Sequence, residues 1–277
     1  NRGDQALVLE TKKIIDTIYE KADCYMMSTG ETIQCEAMGL KKFSDILKHP
    51  SRFSKKKANI NYNLFIKLKW GSIALFDFLV SKLILNKVTR TWIFPFLKEE
   101  TKKSLKLYEQ ADSIFVKGGG FLHDYSKGPI GWYTIYYQTY HIRLALNMKK
   151  KVCIMPNSYG PFKNKKTAKM VNSILDQCQM VTARESISAS KETNTLHRDL
   201  DLYPDLAFFL DKKQSTYEVE SFLHSFGIQK KKDSLIAITV RPYRFYSYPN
   251  PEEKYLEYKK SFVTLIQYLV KQNFKIL

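Results

Sequence analysis

A short apolar run followed by three consecutive glycines most constrains the fold of this chain. The run Ile114-Phe-Val116 has the length and β-branched character of a buried strand, and Gly118, Gly119 and Gly120 follow it almost at once. Glycine has no Cβ, so backbone N–H groups at such a point can approach a ligand closely and a positive φ has no steric cost. In an open α/β sheet, ligands bind at the carboxyl ends of the strands. The pattern therefore predicts a ligand-binding turn after the strand, and a tight turn without a ligand is the competing interpretation.

Strand-like and helix-like segments alternate on both sides of these glycines. A charged helix is predicted over 98–110, and an aromatic-rich helix over 131–148 is predicted to lie half buried and half against a cleft. A strand over 151–155, a helix over 164–178 and a strand over 180–183 follow. Strands that alternate with helices of this length predict a parallel sheet covered on both faces. The expected fold class is therefore α/β, with a Rossmann-like parallel sheet.

The same pattern divides the chain into domains. Residues 1–210 read as an N-terminal Rossmann-like domain, and 211–233 read as a linker that contains a short helix. Residues 234–277 open like a second Rossmann-like domain, with a strand predicted over 234–240. Because another strand is only beginning at the end of the chain, we expect the remainder of that domain to follow Leu277.

The N-terminal end begins with a helical pattern rather than a strand. Asp4 is placed to cap this helix, and a glycine before a helix N-terminus also forms an anion site, so Asp4 is a candidate ligand-binding residue too. A βα unit needs a strand ahead of the helix, so we expect the first strand to be missing. The next strand is predicted over 22–28, and residues 41–97 are interpreted as a basic and apolar helical insertion.

The charge balance favours an anionic partner. The 277 residues contain 45 Lys and Arg against 27 Asp and Glu, a formal net charge of +18. A phosphorylated metabolite, a nucleic acid or an acidic membrane surface would each suit this charge, and the charge alone does not choose among them.

The basic insertion is also the candidate for membrane contact. Lys55-Lys-Lys57 precedes an apolar segment over 73–85 that is too short to span a bilayer, which needs about 20 apolar residues. Such a segment either packs on the core or lies on an anionic membrane face. Exposure of Trp92, Phe94 or Phe96 would favour the membrane.

The four cysteines indicate a reducing compartment. Cys24, Cys35, Cys153 and Cys178 are widely spaced and form no CxxC pair. This spacing predicts reduced, buried thiols of a cytoplasmic protein rather than disulfides or a zinc site.

Three predicted strand ends carry distinctive residues that are expected to meet at one edge of the sheet. They are the Gly118-Gly119-Gly120 segment, the Asn157-Ser158-Tyr159-Gly160 segment and the Arg184-Glu185-Ser186 segment. Arg184 supplies a planar, permanently charged fork suited to carboxylate or phosphate, at the predicted start of a helix. An ion pair with Glu185 or another nearby acid is the competing interpretation of Arg184.

Three further residues are weighed for the site. Arg241, at the end of the first strand of the second domain, could meet a phosphate, and a plain surface arginine is the alternative. His123 beside the glycines could touch a substrate or could be a hydrogen-bonded structural histidine. Asp124 could orient a hydroxyl group or cap the next helix.

These residues carry a resemblance to a known family. Asn1-Arg-Gly-Asp-Gln-Ala-Leu7, Gly118-Gly-Gly-Phe-Leu-His-Asp124, Asn157-Ser-Tyr-Gly-Pro-Phe162, Arg184-Glu-Ser186 and Asp205-Leu-Ala-Phe208 occur in the order of the polysaccharide pyruvyl transferase family. The chain resembles that family over nearly its whole length. The resemblance implies a two-domain, glycosyltransferase-B-like architecture.

The resemblance also implies a reaction. An enzyme of this kind transfers the enolpyruvyl group of phosphoenolpyruvate to a sugar of a cell-surface polysaccharide or of its lipid-linked precursor, and a pyruvic ketal forms. By resemblance Arg184 would hold the donor, with no metal, no other cofactor and no nucleic acid expected. The histidine proposed for catalysis in the family would lie beyond Leu277, so we expect the chain as given to be inactive. His123 and Asp124 are the candidates for catalysis within it.

Two other functions remain open from the sequence. A glycosyltransferase could use a nucleotide sugar in the same cleft, and a non-catalytic module could bind polyanions or a membrane. The expected location is the cytoplasm, with peripheral contact at the inner face of the cell membrane as a further expectation.

Overall fold

The computed structural model describes residues 2–27, 35–47, 64–124, 129–211, 215–229, 232–243, 245 and 248–277. The chain divides into two compact units, Asn1–Leu210 and Asp211–Leu277. Several predicted features lie outside the described residues: Asn1, Ser28 at the end of the first predicted strand, the basic run over 55–57, and parts of the predicted linker at 212–214 and 230–231.

The first unit alternates helices and strands. Its helices are α1 (Arg2–Ile18), α2 (Leu64–Leu85), α3 (Lys87–Ile93), α4 (Glu99–Gln110), α5 (Pro129–Asn147), α6 (Lys165–Leu175) and the single turn α7 (Ser186–Ala189). Its strands are β1 (Tyr25–Met27), β2 (Lys41–Phe43), β3 (Ser113–Val116), β4 (Gly119–Asp124), β5 (Lys151–Phe162), β6 (Met180–Ala183) and β7 (Asp201–Leu202). Short 3₁₀ turns cover Phe94–Phe96 and Leu206–Phe209.

The central sheet is parallel. Its order is β3-β5-β6-β7, with β4 also paired to β5, and every pairing in it is parallel. β1 and β2 form a separate parallel pair. The molecule is therefore a mixed α/β protein with a parallel central sheet flanked by helices, as the alternating pattern predicts.

The glycines do not form the predicted turn. β3 pairs with β5 from Ser113 opposite Lys151, and β4 continues along β5 with Gly119 opposite Asn157, after which the register shifts before Leu122 and again before Asp124. The chain thus interrupts the strand at Lys117 and Gly118 and then resumes it. A Cβ at Gly118 would lie 2.3 Å from the carbonyl oxygen of Pro156, so glycine here permits a close backbone approach rather than a reversal.

β5 is longer than predicted. The expected strand over 151–155 extends to Phe162, because β4 supplies a partner for its second half. Asn157, Ser158 and Gly160 are therefore strand residues and not parts of a loop.

Two apolar clusters cover the sheet. Ile114 and Val116 pack on the large cluster, whereas Phe115 packs on the small one, as alternation along a strand requires. The large cluster includes the fully buried Tyr136 and Tyr140 of α5. The small cluster consists of Leu7 from α1, Met155 from β5 and Leu206.

Buried tyrosines tie α5 to α2. The Tyr136 hydroxyl lies 2.8 Å from Ser81 Oγ, and the Tyr140 hydroxyl donates to the Ser81 carbonyl at 3.2 Å. Phe78 of α2 packs edge-on against Tyr136, with ring centroids 4.9 Å apart. These contacts bury one face of α5, whereas Trp132, Tyr133 and Tyr137 are half-buried, and the expected cleft beside them stays a prediction.

The second unit contains α8 (Thr216–Ser225), β8 (Leu235–Ile236), α9 (Pro251–Lys271) and β9 (Lys275–Ile276). Ser215 begins α8 with a reciprocal capping arrangement with Glu218. β8 and β9 pair in parallel across α9, which is a βαβ arrangement. The strand predicted over 234–240 is shorter than expected, because β9 pairs with two of its residues.

The four cysteines differ in burial. All four cysteines are free, but Cys35 alone among them is buried, and the other three are half-buried rather than buried as predicted. Burial raises the pKa of the Cys178 thiol to about 12.

Within the ranges that the structure describes, no helix is both long and apolar enough to cross a membrane.

Candidate functional site

Arg184 follows β6 and anchors a cluster of polar side chains. Its Nε donates to Ser158 Oγ at 2.7 Å, and its Nη1 donates to Asp205 Oδ2 at 2.6 Å. Its Nε also lies 3.2 Å from Glu185 Oε2. The Arg184 side chain is 29% exposed, so the guanidinium is held in place but still reaches the surface.

The acids beside Arg184 have further partners inside the fold. Ser158 Oγ donates to Glu185 Oε2 at 2.9 Å, and Ser188 Oγ donates to Glu185 Oε1. Asp205 Oδ1 accepts the Ala207 N–H at 2.9 Å. These bonds fix the plane of the guanidinium from three sides.

Gly120 leaves one side of the guanidinium uncovered. A Cβ at Gly120 would lie 3.0 Å from Arg184 Nη2 and 3.6 Å from Ser158 Oγ. Nη2 makes no hydrogen bond to any residue that the structure describes. We refer to Gly120, Ser158, Arg184, Glu185 and Asp205 as the Arg184 cluster.

Charge in the Arg184 cluster is not positive. One guanidinium faces two carboxylates, so the ion pairs that formed the competing interpretation of Arg184 are both present. The helix expected after Arg184 is the single turn α7, too short to add an appreciable dipole. The positive charge of Arg184 is therefore offset locally by Glu185 and Asp205.

Gly119 and Asp4 lie at a neighbouring ion pair. Lys117 Nζ is 2.6 Å from Asp4 Oδ1, and a Cβ at Gly119 would lie 3.7 Å from that Nζ. Gly119 has a φ of 134°, a region that favours glycine. Asp4 lies in the first turn of α1, which begins at Arg2, so it is not the N-cap as predicted.

Asn157 is buried beneath the cluster. Its carbonyl accepts the Arg184 N–H at 3.2 Å, and the residue is fully buried. Neither polar atom of its side chain has a hydrogen-bond partner among the described residues. Its amide is therefore unpaired in this structure, which is uncommon for a buried polar group.

Gly160 and Ser186 lie outside the Arg184 cluster. Gly160 has a φ of 80°, and a Cβ there would lie 2.5 Å from Thr195 Oγ1. Thr195 Oγ1 in turn accepts the Phe162 N–H at 3.2 Å. Ser186 is exposed at the start of α7. Their predicted binding roles stay predictions.

His123 and Asp124 on β4 differ in character. His123 is half-buried, and burial lowers its pKa, opposed by a hydrogen bond to the Gly120 backbone and by the Asp124 charge. Asp124 is 2% exposed, and its carboxylate accepts hydrogen bonds from the Lys163 N–H at 2.5 Å and from Thr167 Oγ1. Asp124 thus links β4 to the start of α6 and does not present a free oxygen to a substrate.

Arg241 belongs to the second unit. It is exposed, and its carbonyl accepts the Tyr258 hydroxyl at 2.9 Å. Its predicted contact with a phosphate stays a prediction.

The sequence analysis missed three charged participants as site residues. Glu185 was considered only as an ion-pair partner of Arg184, Asp205 was noted only within a motif, and Lys117 was passed over although it directly precedes the glycines. Their adjacency to Arg184 and to the glycines in the same motifs was the available signal.

The cluster offers hydrogen-bond donors rather than metal ligands. In the part of the chain that the structure describes, no group of three His, Cys, Asp or Glu side chains could hold a metal ion. The expectation that the reaction needs no metal or other cofactor stays a prediction.

Comparison with known proteins identifies the family. The family model described as polysaccharide pyruvyl transferase matches residues 1–277, the whole chain. No curated protein and no solved structure matches the chain. This match over the whole chain places it in the polysaccharide pyruvyl transferase family.

Proposed function

We propose that the chain binds phosphoenolpyruvate at the Arg184 cluster and transfers its pyruvyl group to a sugar, forming a pyruvic ketal. Family membership indicates a polysaccharide pyruvyl transferase. The donor, the ketal product and an acceptor in a cell-surface polysaccharide or its lipid-linked precursor are parts of the proposal.

The uncovered side of Arg184 is the observation that carries the donor assignment. Phosphoenolpyruvate has a carboxylate and a phosphate, and Nη2 presents unpaired N–H donors beside Gly120. Because Glu185 and Asp205 offset the guanidinium charge, binding must rely on directional hydrogen bonds more than on net local charge. The formal charge of +18 favours approach of the dianion at long range.

The chemistry requires a proton and two sugar hydroxyls. A general acid protonates the methylene carbon of the enol, and one hydroxyl attacks the adjacent carbon. A second hydroxyl of the same sugar then displaces inorganic phosphate from that carbon and closes the ketal. The two hydroxyl protons balance the proton donated to carbon and the one taken up by the released phosphate or solvent.

His123 suits a supporting role in this scheme. Its lowered pKa leaves the imidazole neutral near pH 7, and a neutral imidazole is a poor acid. It is better suited to hydrogen-bond a substrate oxygen beside Gly120 than to protonate carbon.

We also propose that the two units belong to a glycosyltransferase-B-like architecture. The parallel pair β8 and β9 with α9 between them supports a second Rossmann-like fold beginning in the second unit. In this proposal Arg241, which follows β8, contributes to phosphate binding.

Ligand-induced thermal stabilisation tests the donor. Phosphoenolpyruvate should raise the melting temperature, and the shift should disappear in Arg184→Ala and shrink in Arg184→Lys, which keeps the charge but not the fork. A nucleotide sugar is the comparison ligand. A larger shift with the nucleotide sugar, or an unchanged shift in Arg184→Ala, would reject phosphoenolpyruvate binding at Arg184.

A product assay tests the transfer. Phosphoenolpyruvate and candidate glycans are incubated with the protein, and released phosphate is measured together with the ketal methyl group by NMR. Equal amounts of phosphate and ketal support the proposal. Phosphate without ketal would indicate hydrolysis of the donor instead.

A further inference from the structure

The outward face of α2 is apolar. Helical spacing places five large side chains, each between 40% and 67% exposed, along one side of the helix. They are Leu68, Leu75, Phe76, Leu79 and Leu83, and we call them the α2 stripe. Monomeric proteins rarely expose a continuous apolar surface of this kind unless it contacts a partner or a membrane.

Two polar side chains of α2 face inward, whereas Ser72 and Lys82 are exposed. Ser81 is 2% exposed and its hydroxyl is bonded to Tyr136. Asp77 is half-buried, and its charge helps raise the pKa of the Tyr133 hydroxyl, behind burial as the larger cause. Large apolar side chains thus make up most of the exposed side of α2, and such a side suits an apolar surrounding better than water.

The exposed surface continues beyond α2. Trp92 in α3 is 73% exposed, and Phe96 in the following 3₁₀ turn is 89% exposed. Tryptophan and phenylalanine on an amphipathic segment are typical of insertion at the boundary between lipid headgroups and acyl chains. Of the three aromatics Trp92, Phe94 and Phe96, two are therefore exposed, and this outcome favours the membrane over the core.

The charge of this region selects the kind of surface. Residues 41–98 contain 13 Lys and Arg and only two Asp and Glu, Asp45 and Asp77. Lys82 and Lys87 are exposed beside the stripe. A second copy of the chain would bring like charges together, whereas an anionic lipid surface would complement them.

We propose that the α2 stripe, with Trp92 and Phe96, lies in the headgroup region of an anionic lipid bilayer, parallel to its plane. The flanking lysines contact the lipid phosphates while the apolar side chains enter the acyl boundary. The inference is independent of the transfer reaction, and it would bring a lipid-linked acceptor within reach of the protein.

Vesicle co-sedimentation of the whole chain tests the proposal. Binding should be clear for vesicles of phosphatidylcholine with about one third phosphatidylglycerol and weak for pure phosphatidylcholine. It should also weaken on raising the salt concentration, because the lysine contribution is screened. Tryptophan emission should shift to shorter wavelength on binding, and the shift should be smaller in Trp92→Phe, which keeps the other two tryptophans.

Substitutions distinguish vesicle binding through the α2 stripe from nonspecific hydrophobic binding. Phe76→Ser with Leu79→Ser should weaken vesicle binding about tenfold or more, since both side chains lose their apolar insertion. Tyr217→Ser on α8 is the matched control, because Tyr217 is 80% exposed but lies outside the stripe. Circular dichroism of each variant should be unchanged, since the substituted side chains are exposed.

Three results would overturn the proposal. Equal binding to neutral and anionic vesicles would remove the role of charge, and unchanged binding of the stripe variant would remove the role of α2. Dimerisation in sedimentation velocity that the stripe variant abolishes, without vesicle binding, would assign the stripe to a second copy of the chain. Phosphoenolpyruvate binding is unaffected by any of these outcomes, so a failure here leaves the donor site intact.

Discussion

The guanidinium of Arg184 lies against the backbone of Gly120, so closely that a Cβ on Gly120 would be 3.0 Å from Nη2. Arg184 cannot easily withdraw, because Ser158 and Asp205 hold Nε and Nη1 at 2.7 Å and 2.6 Å. The space above Nη2 thus depends on the absence of one side chain. It is the space that we assign to the donor.

Gly120→Ala should therefore impair donor binding more than folding. The added methyl group would occupy the uncovered side of Nη2, and we expect the affinity for phosphoenolpyruvate to fall by about tenfold or more. Calorimetric titration measures the affinity, and urea unfolding should show a loss of less than about 1 kcal/mol. Unchanged affinity in a folded variant would place the donor elsewhere.

Gly118→Ala should behave in the opposite way. Its Cβ would lie 2.3 Å from the Pro156 carbonyl oxygen, a backbone atom that cannot move aside without disturbing the pairing of β4 with β5. We expect the free energy of unfolding to fall by about 3 kcal/mol. Urea unfolding measures this loss, and a stable Gly118→Ala protein would contradict the close approach of the two strands.

Sequence patterns predicted the strands and helices better than the connections between them. The segment over 180–183 is a strand as predicted, and the long helices α4 and α5 lie within a few residues of their expected positions. Hydrophobic periodicity defines such elements locally. The glycine segment was predicted as a turn because glycine is a poor strand former, but pairing with β5 outweighs that preference.

The site was predicted in part for a related reason. The rule that parallel strands carry their carboxyl ends to one edge predicted that Gly120, Ser158 and Arg184 meet, although Gly120 and Ser158 lie within β4 and β5 rather than at their ends. The contact of Asp205 with Arg184 depends on how the chain returns after β7, which no local pattern encodes. The charge balance of the site could therefore not be predicted.

Asp124→Ala should reduce stability without altering the donor site. The carboxylate is buried and accepts hydrogen bonds from the Lys163 N–H and from Thr167. Its removal leaves both donors without this acceptor. We expect a loss of about 2 to 4 kcal/mol in the free energy of unfolding. Thr167→Val should show a smaller loss. A fully stable Asp124→Ala protein that no longer forms ketal would indicate a catalytic carboxylate instead.

His141 should make the fold sensitive to mild acid. The residue is half-buried, but its Nε2 lies out of solvent and its Nδ1 lies 3.0 Å from the Tyr108 hydroxyl, and burial lowers its pKa to about 4. The unfolded chain, with a histidine pKa of about 6.5, binds the proton first as the pH falls. Stability from the neutral imidazole is thus present above about pH 6.5 and is lost toward pH 4. Between pH 7 and pH 5 the loss should be about 2 kcal/mol.

Urea unfolding at pH 7 and at pH 5 measures this loss of stability. His141→Gln should flatten the pH dependence, because glutamine does not titrate, and His197→Gln shows the effect of the same exchange at another histidine. His197 is exposed and serves as the matched control. An identical slope in His141→Gln and in the native chain would show that other groups cause the acid sensitivity.

Asn157→Leu should stabilise the unliganded protein. The native side chain is fully buried, and neither of its polar atoms has a partner among the described residues, so folding pays its desolvation without a compensating hydrogen bond. Leucine has a similar volume and carries no polar atom. Because the Asn157 carbonyl, not the side chain, accepts the Arg184 N–H, the substitution keeps that backbone bond. We expect an increase of about 1 to 2 kcal/mol in the free energy of unfolding, measured in urea. A decrease would mean that the amide has a partner in solution, such as an ordered water molecule.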